Sequence, residues 1–282
     1  MSLSDSEISF LQRLVRDQPS QRPVGQAARE LSLSYGIGSI YTRHVGYLDD
    51  DFVKARRLLE RHRAPVERLE VGASRADAAA YAGMSEKFQS APPSTDSLCV
   101  RFLGDCRLNG QPMQTAPGCY QVLTAEVAQR IQAEQLLVIE NLETFRQLES
   151  YPWVVDAIGG GETQVMVLYR GDRDRSVGEM SDFIARRSEP TAVFFDFDPA
   201  GLGMAAKVPR MSHLLVPDRG WLEMGLEGAR AVSLYAASVG QWQSFLDGCA
   251  DERIASAWSL MKSRRAGMAQ EGMRDAPIRQ CY

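Results

Sequence analysis

The sequence lacks the features that mark membrane and secreted proteins. None of its apolar runs approaches the ~18 residues that a membrane-spanning helix needs. Residues 1–5 are mostly polar and do not show the basic and then apolar order of a secretory signal. We therefore expect a cytoplasmic protein that does not act in a membrane.

Cysteine and histidine are scarce and scattered. The five cysteines form no C-x-x-C pair, and the three histidines are far apart in the chain. Zinc sites and disulfide frameworks need such residues in larger numbers and at regular spacing. The pattern argues against both kinds of site.

The composition is that of a globular protein, with 44% hydrophobic and 24% charged residues among 282. This length fits one large domain or two modest ones. The formal net charge of −4 weighs against a nucleic-acid binder. However, residues 1–90 carry a slight excess of basic residues and residues 91–282 an excess of acidic ones. This asymmetry permits one part to bind a polyanion and the other to bind cations.

Residues 1–90 are predicted to be mainly helical. Apolar periodicity indicates helices over 4–15, 24–33 and 50–62. Three short helices with tight turns favour a helix-turn-helix or winged-helix domain that binds DNA or a partner. The third helix is expected to direct Phe52, Val53, Leu58 and Leu59 inward. Its basic residues are candidates for a DNA-binding face, although a merely solvated face fits equally well: Lys54, Arg56, Arg57, Arg61.

Residues 91–95, with the sequence APPST, predict a linker to a second domain over 95–282. Short apolar runs typical of strands buried on both faces follow at 136–139, 165–168, 192–195 and 214–216. Helices are predicted before, between and after these runs, at 124–132, 142–150, 176–187, 200–206, 228–246 and 251–268. Alternating strands and helices predict an α/β fold with a parallel sheet, whose functional groups collect at the carboxyl ends of its strands.

Acidic residues follow two of the apolar runs. Glu140 follows the first run, and Asp196 and Asp198 follow the third. Asp196 and Asp198 should point to the same side of an extended chain. Three converging carboxylates repel one another, and a divalent cation removes that repulsion. Hard oxygen ligands favour Mg²⁺ or Mn²⁺ over zinc. Alternatively, Asp198 only caps the helix that begins at Pro199, but the separate strand that carries Glu140 favours a metal site.

Three segments together resemble a Toprim domain, the catalytic fold shared by topoisomerases, primases and several nucleases. They are VIEN at 138–141, YRGD at 169–172 and FFDFDPAG at 194–201, and the resemblance covers about residues 135–218. With ENLETF at 140–145 and QE at 270–271, the chain more closely resembles the Toprim subunit, JetD or MksG, of condensin-like systems of the Wadjet or MksBEF type.

The resemblance implies a metal-dependent DNA endonuclease that cleaves plasmid DNA beside an SMC-like ATPase with kleisin-type subunits. It assigns Glu140 as general acid/base and Asp196 and Asp198 as ligands of Mg²⁺ or Mn²⁺. Arg170 and, more weakly, Lys207 are candidates for contacting phosphate. Because one metal site cuts one strand, a double-strand break suggests a homodimer.

Three other interpretations stay open. Asp196 and Asp198 also resemble the first motif of haloacid-dehalogenase phosphatases, although the later motifs of that superfamily are not recognisable. A non-catalytic module that binds DNA or a partner is a second alternative. A topoisomerase would need a tyrosine nucleophile, and no tyrosine in the N-terminal half lies in a pattern that matches one.

Overall fold

The computed structural model describes residues 3–91, 96–172 and 177–278. By its internal contacts the chain splits into two units, Met1–Pro93 and Ser94–Tyr282. Of the predicted linker, only Ala91 belongs to the described residues. Among the described helices, none is both long and apolar enough to cross a membrane.

The N-terminal unit contains four helices and a small antiparallel sheet. Its helices are α1 (Asp5–Asp17), α2 (Gln26–Tyr35), α3 (Asp49–Arg61) and α4 (Arg75–Ala79). Its strands, β1 (Gln21–Pro23), β2 (Ser39–Ile40) and β3 (His44–Gly46), pair in the order β1-β3-β2. The three predicted helices are confirmed with ends shifted by up to two residues. Ser4 caps α1 through a capping box with Glu7.

Two features of this unit differ from the prediction. Val53 is 45% exposed, because the helical period directs Phe52, Ala55 and Leu59 to the core instead. The hairpin β2–β3 separates α2 from α3, whereas the helices of a helix-turn-helix motif are joined by a turn of three or four residues. The winged-helix assignment stays a prediction.

The C-terminal unit contains nine strands among its described residues. They are β4 (Ser97–Leu103), β5 (Arg107–Leu108), β6 (Gln111–Pro112), β7 (Gln121–Thr124), β8 (Ile131–Gln132), β9 (Gln135–Ile139), β10 (Val165–Tyr169), β11 (Thr191–Phe194) and β12 (Met211–Leu214). Its helices are α5 (Ala125–Gln129), α6 (Leu142–Arg146), α7 (Pro152–Ala157), α8 (Val177–Ala185), α9 (Pro199–Ala205), α10 (Arg219–Gly225), α11 (Ala229–Asp247) and α12 (Glu252–Arg264). Two 3₁₀ turns lie at Leu148–Ser150 and Gln270–Met273.

Six of these strands form a mainly parallel sheet in the order β12-β11-β9-β10-β4-β7. Strands β9 to β12 are parallel, and β4 and β7 extend the sheet in antiparallel pairing. The chain passes from β9 to β10 on one side and then crosses to β11 on the other side of β9. The order therefore reverses between β9 and β11, which is the point where open α/β sheets bind ligands. The predicted α/β class with a parallel sheet is confirmed.

Several predicted elements have different ends. The helix predicted over 142–150 is broken at Gln147 into α6 and a 3₁₀ turn. The strand predicted at 214–216 lies at Met211–Leu214. The helix predicted over 251–268 stops at Arg264, because Arg265 adopts the left-handed conformation. This early stop lets the following segment turn back toward the sheet.

Candidate functional site

The ends of β9 and β11 bring two carboxylates together. Ile139 and Phe194 are paired in the parallel register of these strands, so the residues that follow them emerge side by side. The backbone N–H of Asp196 donates a hydrogen bond to Oε2 of Glu140 at 3.1 Å. The structure thus places the two predicted site residues in direct contact across 56 positions of sequence.

Asp198 lies on the same side of the chain as Asp196. Both are partly exposed, whereas Phe197 between them is 1% exposed and pairs with Met268. Oδ1 of Asp198 accepts the Gly201 N–H at 2.7 Å, so this residue caps α9 as well. Asp198 therefore caps α9 and also lies on the same side of the chain as Asp196.

Gly201 allows the tight turn that follows the acidic pair. A Cβ atom at this position would lie 2.1 Å from the carbonyl oxygen of Asp196. Real Cβ atoms do not approach backbone that closely, so only glycine fits without displacing the turn.

Gln270 connects the two strand ends. Its backbone N–H donates to Oδ1 of Asp196 at 2.8 Å, and its side-chain Nε2 donates to the carbonyl oxygen of Phe194 at 2.7 Å. Its Oε1 accepts the backbone N–H of Asn141 at 2.7 Å. The side chain is fully buried. One glutamine therefore fixes the distance between the segments that carry Glu140 and Asp196.

The segment that carries Gln270 is held by an antiparallel bridge. Phe197 and Met268 exchange both backbone hydrogen bonds at 2.8 Å, and Glu271 accepts a hydrogen bond from Nδ2 of Asn141 at 2.6 Å. Residues 270–271 belong to the segments that carry the family resemblance, but no sequence pattern predicts them as site residues. Gln270 and Glu271 are two polar residues that follow α12, and the sequence around them does not indicate a contact with the acidic strand ends.

The site is electrostatically costly for its carboxylates. Burial, reinforced by the charge of Asp196, raises the pKa of Glu140 to about 7, against the lowering effects of the Asp196 N–H and of Arg170. Burial raises the pKa of Asp196 to about 6, and the charges of Asp198 and Glu271 add to this effect, while the Gln270 N–H lowers it. Burial also raises the pKa of Asp198. The cluster therefore favours any cation that offsets the repulsion.

Arg170 is the predicted phosphate-contacting residue that the structure brings to this site. It follows β10, and its backbone N–H donates to the carbonyl oxygen of Ile139 at 2.9 Å. Its Nη2 lies 3.8 Å from Oε1 of Glu140. Its Nε is buried without a hydrogen-bond partner among the described residues. This guanidinium thus keeps donor capacity next to the carboxylates.

Lys207 does not lie with the carboxylates. It follows the carboxyl end of α9, whereas Asp198 caps the amino end, about 13 Å away along the helix axis. Its Nζ lies 4.5 Å from the ring centroid of Trp242 and 5.5 Å from that of Phe245. This contact is a cation–π interaction, and the prediction that Lys207 contacts phosphate at this site does not fit its position.

The predicted basic face of α3 is divided. All four candidate residues are exposed: Lys54, Arg56, Arg57, Arg61. At about 100° per residue, Arg56 is roughly 160° from Lys54 around the helix, whereas Arg61 lies close to Lys54. The ammonium of Lys54 lies 3.5 Å from Asp50 and 3.8 Å from Asp51. The four basic residues of α3 are close in sequence but do not form one continuous surface.

The three carboxylates are suitable ligands for a divalent cation, but their oxygens are not arranged around a common point. Within residues 3–91, 96–172 and 177–278, no group of three or more His, Cys, Asp or Glu side chains stands ready to hold a metal ion. Nevertheless Glu140, Asp196 and Asp198 offer hard oxygen ligands at one edge of the sheet, and burial together with repulsion raises the pKa of the first two. Such a set matches Mg²⁺ or Mn²⁺. An ion would draw the three side chains closer together.

These pKa shifts predict how stability changes with pH. The pKa of Glu140 is raised from 4.5 to about 7 in the folded chain, so the stability contributed by its protonated form is lost as pH rises through this window. We expect Glu140→Gln to be more stable than the parent at pH 8, by up to roughly 3 kcal/mol, with a smaller difference at pH 5. Chemical denaturation in EDTA at both pH values measures this difference.

The control for this measurement is Glu126→Gln, which makes the same formal change at an exposed position of α5. It should leave stability nearly unchanged at both pH values. A gain for Glu140→Gln that is equal at pH 5 and pH 8 would contradict the assignment of a raised pKa.

Comparison with protein families gives a match over most of the C-terminal unit. A family model described as Domain of unknown function (DUF7281) matches residues 96–279. The matched span contains both acidic strand ends and Gln270. The search of curated proteins finds no match.

Proposed function

We propose that this chain, which belongs to the DUF7281 family, is a divalent-metal-dependent DNA endonuclease with a Toprim-type catalytic domain. The observation that carries the proposal is the contact between Glu140 and Asp196 at the point where the strand order reverses. The parallel strands follow the order 2-1-3-4 when counted from β9. One acid follows the first of them and the acidic pair follows the third, which agrees with the resemblance to Toprim domains.

The residues divide the work of hydrolysis as follows. Glu140, whose pKa of about 7 is close to neutral pH, accepts a proton from the attacking water. Asp196 and Asp198 would hold the divalent ion, which would polarise the phosphate and neutralise the carboxylates. Arg170, whose side chain is partly exposed next to Glu140, donates to a phosphate oxygen through its guanidinium. Gln270 keeps the strand ends at a fixed separation.

The proposed partner and substrate rest on the sequence resemblance. We propose that the chain cleaves plasmid DNA beside an SMC-like ATPase with kleisin-type subunits, and that two copies act on the two strands. The unit over 1–90 would bind DNA or this partner.

Incubation of the purified chain with supercoiled plasmid tests the proposal. With Mg²⁺ or Mn²⁺ we expect conversion to nicked or linear DNA, and with EDTA no conversion. Hydrolysis of a small chromogenic phosphate ester without DNA cleavage would identify a phosphatase that uses Asp196 and Asp198. Binding of DNA without either reaction would indicate a non-catalytic module.

A further inference from the structure

A groove of about 840 Å³ crosses the N-terminal unit between α1 and α3. Its walls also include the segments around Val66 and Phe88. Four arginines line it, against a single acid, Glu67, among the lining residues: Arg13, Arg16, Arg56, Arg68. The groove is therefore a concentration of positive charge in a chain whose net charge is −4.

One wall of the groove is a single face of α1. Ser9, Gln12, Arg13 and Arg16 follow the spacing that places helical residues on one side. This face is about 10 Å long, at 1.5 Å per residue. Arg56 lies on the facing flank of α3, which explains why it is separated from Lys54 and Arg61.

The floor of the groove is a satisfied polar network. Gln12 is 5% exposed and donates to the carbonyl oxygens of Pro65 at 2.9 Å and Glu67 at 3.1 Å. Its Oε1 accepts from Nε2 of Gln89 at 2.7 Å. These bonds hold the segment that carries Arg68 against α1. The polar atoms of the Gln12 side chain are already hydrogen-bonded within the protein. The groups that remain available to bind a ligand are the guanidinium groups.

Three of these guanidinium groups have no partner within the described residues. Arg13, Arg56 and Arg68 make no ion pair or hydrogen bond there with their side chains, whereas Arg16 binds Asp17. By contrast, the buried arginines of the C-terminal unit, Arg101 and Arg187, are each paired with a glutamate. Like charges that share one groove repel each other, and an anion relieves that repulsion.

We infer that this groove binds the phosphate backbone of duplex DNA, an inference that rests on the proposed function. The charges are exposed and come from three separate segments, α1, α3 and the chain around Arg68, an arrangement that suits a row of phosphates better than a single small anion. Contacts of this kind position a duplex without reading its sequence. Binding should thus be independent of sequence and strongly dependent on salt.

Fluorescence anisotropy with a labelled duplex in EDTA tests the inference without requiring cleavage. We compare the parent with the triple variant Arg13→Ala, Arg56→Ala, Arg68→Ala between 50 and 200 mM salt. The logarithm of the binding constant falls linearly with the logarithm of the salt concentration. Three lost phosphate contacts should make this slope less steep by roughly 2 to 3. At low salt the affinity should fall by at least tenfold.

The matched control is Arg29→Ala, Arg43→Ala, Arg75→Ala, which removes the same charge from exposed positions of the same unit outside the groove. It should keep the parental slope. An equal loss in both triple variants, or parental binding by the groove variant, would overturn the inference. If the parent binds as expected but never cleaves plasmid, the proposed nuclease fails while the groove stands.

Discussion

Glu140→Gln and Asp196→Asn are expected to reduce metal-dependent cleavage of plasmid DNA by at least about a hundredfold each. Glu140→Gln removes the proposed proton acceptor, and Asp196→Asn removes a proposed charged ligand of the ion. Each change keeps the size of the side chain. The initial rate of nicking at saturating Mn²⁺ measures the effect.

Both amides can keep the local structure. The amide oxygen of glutamine at 140 can still accept the N–H of Asp196, and that of asparagine at 196 can accept the N–H of Gln270. Lost activity should therefore accompany an unchanged or raised melting temperature. The exposed Glu126→Gln is the control and should cleave like the parent. Parental cleavage by both site variants would show that the site is assigned wrongly.

Asp198 requires a separate pair of variants because it also caps α9. Asparagine caps helices about as well as aspartate, so Asp198→Asn should keep stability and lose cleavage. Asp198→Ala should lose both. If Asp198→Asn cleaves like the parent, Asp198 only caps the helix.

Gln270→Ala is expected to lower both the stability of the C-terminal unit and the rate of cleavage. The substitution leaves the Asn141 N–H without its partner. It also removes one of two hydrogen bonds that the Phe194 carbonyl accepts, the other coming from the Glu140 N–H at 3.3 Å. The unpaired N–H costs about 1–3 kcal/mol and the second lost hydrogen bond about 1 kcal/mol. Together these losses correspond to a fall of roughly 10 °C in melting temperature. The segments that carry Glu140 and Asp196 would then separate more freely. We expect weaker apparent affinity for Mn²⁺, measured from cleavage rates well below the melting temperature.

Trp153→Phe is the matched control for Gln270→Ala. The indole Nε1 donates to the carbonyl oxygen of Met273 at 2.7 Å, so its loss weakens the same 3₁₀ turn without touching a carboxylate. This variant should be destabilised and yet keep the parental dependence on Mn²⁺. If the two variants show the same dependence, Gln270 stabilises the fold and does not position the site.

The sequence predicts the sheet and its acidic edge because both depend on local patterns. Buried strands appear as short apolar runs, and Glu140 and Asp196 follow two of them directly. That the two strands are neighbours depends on the direction in which the chain crosses over after β10. Periodicity along the chain does not give this order.

What local patterns miss are contacts over long sequence distances. Gln270 reaches Asn141 across 129 positions and Phe194 across 76, and no periodicity marks it. The basic groove combines Arg13 from one helix with Arg56 from another. Conversely, Lys54 and Arg56 are close in sequence but lie on different flanks of α3. Lys207 is near Asp198 in sequence and still lies at the opposite end of α9.

The bridge between Phe197 and Met268 has a consequence for the order of events during synthesis. The ribosome synthesises Glu140, Asp196 and Asp198 well before residues 266–273. A nascent chain therefore contains the three carboxylates before it contains the segment that carries Gln270 and fixes their spacing. The final arrangement can form only after this late segment has emerged. The proposed nuclease would therefore gain its cutting geometry only after residues 266–273 have left the ribosome.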